Sequence, residues 1–124
     1  MNIKLSNGTE LSPILVTGGQ RYVQGQSRDT LSFVFPASES MEALDAAFAS
    51  ENCETITIND GEKEHIYKAY TVRAELKKEA EEVSPATAEA AAVYEDRITI
   101  SMSQRTYVET QLAELRTAVQ QVRR

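Results

Sequence analysis

This sequence predicts a mainly β (α+β) domain: a small antiparallel barrel or sandwich with one short helix and a C-terminal amphipathic helix. Three observations carry that expectation. Short runs alternate apolar and polar residues, as in Leu31-Ser32-Phe33-Val34-Phe35 and Ile98-Thr99-Ile100-Ser101-Met102. Turn dipeptides built on Asn, Asp and Gly separate them. After residue 105 the period changes from two to a heptad spacing. At 124 residues the chain is the length of one domain. It divides into a β-rich part over 1–104 and a helix over 105–124.

The elements follow in order. Ile3 and Leu5 alternate with polar neighbours and lead into Asn7-Gly8, a hairpin signal because both residues accept positive φ. Leu11 to Thr17 returns as a strand that Pro13 restricts to an edge or a strand start. Gly18-Gly19 reads as a turn or bulge, Arg21 to Gln24 as a weak strand, and Gly25 to Asp29 as another turn. The Leu31–Phe35 strand stops at Pro36. Ser38 or Ser40 then caps a short helix with Met41, Leu44, Ala47 and Phe48 on one face.

Ile56 and Ile58 form a strand that turns at Asn59-Asp60-Gly61, with Glu62 to Glu64 lengthening the loop. Ile66 to Leu76 reads as one long strand, with Ile66, Tyr70 and Val72 on the core face alongside Ile56 and Ile58. The strand at Ile98 to Met102 is expected to pair with it. Residues 77–96 between them are acidic, Ala-rich and broken by Ser84-Pro85, and are expected to be a long mobile connection, with Ala86 to Ala92 open to a helical turn or two.

The terminal segment has the sharpest pattern. Thr106 and Glu109 have capping-box spacing. Val108, Leu112, Leu115, Val119 and Val122 then follow at intervals of 4, 3, 4 and 3, an a/d seam. Each seam side chain gains roughly 1.5–3 kcal/mol on full burial, against a backbone ordering cost on the order of 1–2 kcal/mol per residue. Isolated helices of this length are marginal, so the seam needs a partner. Three surfaces compete: the parent β domain, another chain, and a membrane surface. The last is disfavoured by a polar face poor in Lys and Arg. The five seam residues are the candidate interface, and homo-oligomerisation through this helix is the expectation.

Composition narrows the function. The net charge of −6 and pI near 4.8 argue against nucleic acid, whose affinity comes largely from basic side chains. The charge is uneven. Residues 75–96 carry two basic and seven acidic groups, whereas 97–124 carry five basic and two acidic, so the ends of this chain can attract one another or a neighbour's opposite end. No run approaches about 18 apolar residues, so no membrane span is expected. The N-terminus has no apolar signal core, and synthesis in the cytoplasm follows.

Candidate chemistry is sparse. Cys53 is the one cysteine, which rules out an intrachain disulfide, and it reads as a structural thiol. His65 is the one histidine and reads as a solvated residue beside a charged turn. Glu79, Glu81 and Glu82 lack the spacing of a calcium loop. Gly18, Gly19 and Gly25 fit no phosphate-binding fingerprint. The expectation is therefore a non-enzymatic protein with no catalytic residue, metal or cofactor.

The order of elements resembles the β-barrel of tail-tube and baseplate-hub proteins of tailed phages. The carrying stretches are Arg28-Asp29-Thr30-Leu31-Ser32-Phe33-Val34-Phe35-Pro36, the helix near Met41 to Phe48, Thr55 to Ile58, Ile66 to Val72, and Asp96 to Gln104. Ala69 stands where hub domains often carry glycine. The ending from Ser103 to Val122 is similar to short helical tails on small prophage proteins of Gram-positive bacteria. The likeness spans roughly residues 11–122. It implies a tail, baseplate or connector component, located in the virion, with copies of itself or neighbouring tail proteins as partners. The competing expectation is a host-encoded adaptor domain that binds a protein or small ligand.

Overall fold

A computed structural model describes residues 1–122, apart from the side chains of Val83, Tyr107, Ala113 and residues 117–122. Among the described residues eight strands form two antiparallel four-stranded sheets. The first sheet holds β1 (Asn2–Lys4), β2 (Glu10–Leu11), β5 (Thr55–Asn59) and β6 (Glu64–Lys68), in the order β2-β1-β5-β6. The second holds β3 (Leu15–Val23), β4 (Gln26–Pro36), β7 (Val72–Ser84) and β8 (Val93–Ser103), in the order β3-β4-β8-β7. Neither sheet closes on itself, so of the two expected architectures the sandwich is the one formed.

Helix α1 (Met41–Ala47) carries the chain from one sheet to the other, followed by a 3-10 turn at Ser50–Asn52. Ser40 caps α1 by accepting from the Ala43 N–H. The face expected from the sequence is the one that packs. Leu44 is buried, Met41 and Ala47 lie against the core, and Phe48 sits fully buried with its ring 5.1 Å from Phe33 and 6.1 Å from Phe35. Ile3, Ile56 and Ile58 of the first sheet, with Leu5 just after β1, share one core with Leu31, Ile98, Ile100 and Met102 of the second. The Asn7-Gly8 and Asn59-Asp60-Gly61 turns form, with Gly8 and Gly61 at positive φ.

Several expectations are corrected. Pro13 interrupts the Leu11–Thr17 strand, so that β2 ends at Leu11 and β3 begins at Leu15. Gly18-Gly19 is no turn but lies mid-strand in β3, and the reversal falls on Gln24-Gly25, both at positive φ. The single strand expected over Ile66–Leu76 is two strands in different sheets. Ala69 breaks it at φ +63°, its N–H bonded to the Glu54 carbonyl and its carbonyl accepting from Arg105. That corner changes which residues face inward. Ile66 is 61% exposed, contrary to the expectation that it faces the core, and Tyr67 packs inward instead. Tyr70 is buried as expected, and β8 pairs with β7 through Leu76↔Ile100.

The largest correction concerns residues 77–96. Only 85–92 is loop. The flanking residues continue β7 and β8 as a ladder from Lys77↔Thr99 out to Ser84↔Val93. The last pair between β8 and β4 is Arg97↔Pro36, so residues beyond it form a two-stranded arm that projects past the sheet. Both faces of the arm are largely solvated, so its residues need no apolar alternation and the sequence pattern hides it.

Two outcomes follow. An alanine in the left-handed region costs roughly 1–2 kcal/mol, while glycine adds about 0.4–1 kcal/mol of unfolded-state entropy. Ala69→Gly should therefore stabilise the protein by on the order of 0.5–1 kcal/mol in urea unfolding. Replacing Glu82–Tyr94 by Asn-Gly removes only arm residues, and should shift the melting temperature by no more than a few degrees in calorimetry.

Candidate functional site

β8 ends at Ser103, and residues 104–106 tie its exit to both sheets. The Gln104 N–H donates to the Asp29 carbonyl of β4 at 2.8 Å, and its side-chain amide donates to the Lys68 carbonyl at 3.1 Å. Arg105 donates through its backbone to Ala69 at 2.7 Å, and its guanidinium forks onto Glu54 at 2.9 and 3.1 Å. Helix α2 (Tyr107–Val122) begins immediately after.

The capping box forms as expected. The Thr106 N–H donates to Glu109 Oε1 at 2.9 Å, and the Glu109 N–H donates to Thr106 Oγ1 at 3.2 Å. Glu109 has a second role. The Arg28 guanidinium donates to both of its carboxylate oxygens, through Nη1 to Oε1 and through Nη2 to Oε2 at 3.1 Å. Arg28 is almost wholly buried where β4 leaves the β3–β4 turn, and it also donates to the Val23 carbonyl at 2.9 Å and the Gln104 carbonyl at 3.2 Å. A buried guanidinium without a counter-charge is costly; here Glu109 supplies it. The first turn of α2 is thereby fixed in direction relative to the second sheet. The Arg28 hydrogen bonds, then those from Thr106, hold the Glu109 carboxyl well below its ordinary range, at about 2, while the same pairing raises Arg28.

Beyond that turn the seam meets solvent. Val108, Leu112 and Leu115 are 64%, 47% and 60% exposed in the single chain, so these three do not dock on the parent domain. The side chains of Val119 and Val122, the remaining seam positions, lie outside the described residues.

A second feature opens between the sheets. A cleft of about 500 Å³ lies between β3–β4 and β5–β6, walled by the bare backbone of Gly18-Gly19, by Leu31, and by Tyr67 and Tyr70. The two tyrosine rings meet edge to face at 5.7 Å, and burial raises the Tyr70 hydroxyl. His65 reaches the rim with Nε2 3.5 Å from Asp60 Oδ2, and about half of its side chain is exposed. The backbone N–H groups of Lys63 and Glu62 lower Asp60. Gln20 and Asp29 complete the polar side of the cleft, bonded to each other at 3.3 Å.

The remaining sequence candidates fall elsewhere. Cys53 is fully buried and donates to the Phe48 carbonyl; burial pushes its thiol up to about 11, which leaves it protonated and unreactive at neutral pH. Glu79, Glu81 and Glu82 lie along the arm, where Glu79 pairs with Lys77 at 3.0 Å and Glu82 accepts from the Tyr94 hydroxyl at 3.3 Å. Among the described residues no helix is long and apolar enough to cross a membrane. The sequence reading missed Arg28. Its partner is 81 residues away, and no local pattern announces the contact.

Compared with known proteins, the chain matches no family model, no curated protein and no solved structure.

The clamp has a pH signature. Glu109 titrates near 4.5 when unfolded and near 2 when folded, so its contribution is complete above about pH 4.5 and is lost as pH falls towards 2. A third of the side chain is exposed, which places that contribution at the lower end of charged hydrogen bonds, about 1.5 kcal/mol. Glu109→Gln should be less stable than wild type at pH 6, and the difference should shrink below pH 4.5 and vanish near pH 2. Denaturation curves of the two proteins across that range check the sign.

Proposed function

We propose that this chain is a non-enzymatic assembly protein whose copies join through α2. One observation carries the reading: a helix fixed at its first turn presents Val108, Leu112 and Leu115 to solvent on a heptad seam. A side chain that only completed the fold would be covered by the fold. Holding the helix rigid lowers the ordering cost that an assembling partner must otherwise overcome. Another copy suits the seam, because an a/d stripe is the surface that packs against a helix of the same kind or against another narrow apolar face.

The likeness of the element order to phage tail and baseplate proteins supports a place among virion components of a phage or a Gram-positive prophage. Such assemblies repeat one subunit about an axis, which suits a small β domain bearing a stiff projecting helix. A second reading, an adaptor domain that binds a small ligand, is favoured by the cleft beside Tyr67 and Tyr70. Its volume falls within the usual range for ligand pockets, roughly 300–1,000 Å³.

Light scattering and calorimetry test the assembly reading. Wild type should be oligomeric. Leu112→Asp with Leu115→Asp should lower the mass to that of the monomer while leaving the melting temperature of the isolated domain within a few degrees, because charges in the seam block association without touching the core. A wild type that is monomeric at every concentration overturns assembly and leaves the cleft as the functional surface. A double variant with unchanged mass also overturns it.

A further inference from the structure

The arm and the helix are joined by one strand. β8 begins in the arm at Val93 and ends at Ser103 beside the start of α2. At about 3.3 Å per residue, its two ends are roughly 35 Å apart, so these features lie at opposite ends of the second sheet. Each end exposes apolar side chains. Val93 and Tyr94, on opposite faces of the arm, are 49% and 59% exposed, as the seam of α2 is at the other end.

Their charges are complementary. Residues 79–96 hold six acidic groups and no basic one. Among the described residues, Glu81, Glu82, Glu89 and Asp96 have no cation paired with them. Glu81 lies directly across the ladder from Glu95; Arg97 pairs with Glu95 at 2.8 Å, which leaves Glu81 the carboxylate of the pair without a counter-charge among the described residues. The helix end has the opposite balance. Arg28 already engages Glu109, which leaves Glu114 against Arg116 and, in sequence, Arg123 and Arg124. A parallel pairing of two α2 helices brings these arginines towards one another, an antiparallel one sets them beside a Glu109 that Arg28 already engages, and both leave the arm uncovered. Packing α2 against one face of an arm covers the seam and sets the arginine-rich end of one chain against the acidic excess of the next.

We infer that copies join head to tail, α2 of one chain lying on the acidic β7–β8 arm of the next. This rests on the assembly reading and specifies its geometry. Such a heterologous contact generates a ring where the rotation closes and a filament where it does not.

Complementation distinguishes this from helix–helix pairing. One variant loses the helix surface by Leu112→Asp with Leu115→Asp. The other loses the arm surface by replacement of Glu82–Tyr94 with Asn-Gly, and circular dichroism and calorimetry confirm its folded domain. A third, Glu81→Lys with Glu95→Lys, keeps the arm's length and cuts the net charge of residues 79–96 from −6 to −2. Each of the first two should be monomeric alone. Mixed in equal amounts, they should double in mass and stop there, since one intact arm meets one intact helix and the spare surfaces are dead. The charge-depleted variant should assemble more weakly than wild type, and wild-type assembly should weaken as salt is raised. An arm-deleted protein that retains the wild-type mass overturns head-to-tail joining while leaving assembly through α2 in place. Two monomeric variants that fail to combine overturn it as well. A monomeric wild type, by contrast, removes the assembly reading itself.

Discussion

Phe48 is buried in the core at the point where the chain crosses from one sheet to the other. It ends α1, the element that carries the chain between sheets, and its ring packs against Phe33 and Phe35 of β4. A sandwich of two short four-stranded sheets has little apolar surface to spare, and Trp is absent from the chain. A large aromatic delivered between the layers by a capped helix fills the volume that smaller side chains leave. Cys53 lies beside it as a small buried apolar group, its thiol directed at the Phe48 carbonyl. The site chemistry of cysteine is thus spent on packing.

With the layers fixed, the long strands of the second sheet are free to extend past the core at both ends. At one end β3 and β4 outrun β8 and place Arg28 under the start of α2; at the other, β7 and β8 outrun β4 and become the arm. Each extension has its own means of staying ordered. The arm continues an existing ladder, so it needs no nucleation of its own. The helix uses a buried guanidinium whose counter-charge is also the reciprocal member of the capping box. Coupling the cap to the clamp means that the helix cannot turn away from the sheet without exposing or orphaning Arg28.

The local features were legible. The capping box, the terminal helix, the Ser40-capped helix and the two glycine turns all obey short-range rules, and each is formed. Ala69 was harder, because an alanine carries no signal for positive φ; the corner is imposed by its bonds to Glu54 and Arg105. The face of Ile66 then followed the corner rather than the alternation. The arm escaped because composition describes solvation, and a ribbon solvated on both faces has the composition of a loop.

What the sequence determined by itself was therefore periodic or local: mainly β character, one short capped helix, a terminal helix with a narrow seam, and an uneven charge along the chain. Tertiary structure alone decided which strands share a sheet, that Arg28 meets Glu109, and that the acidic segment and the helix lie at opposite ends of β8. The reason is physical. Side-chain period and turn chemistry act over a few residues, whereas a buried charge pair and a sheet order join residues whose separation along the chain carries no trace of their contact.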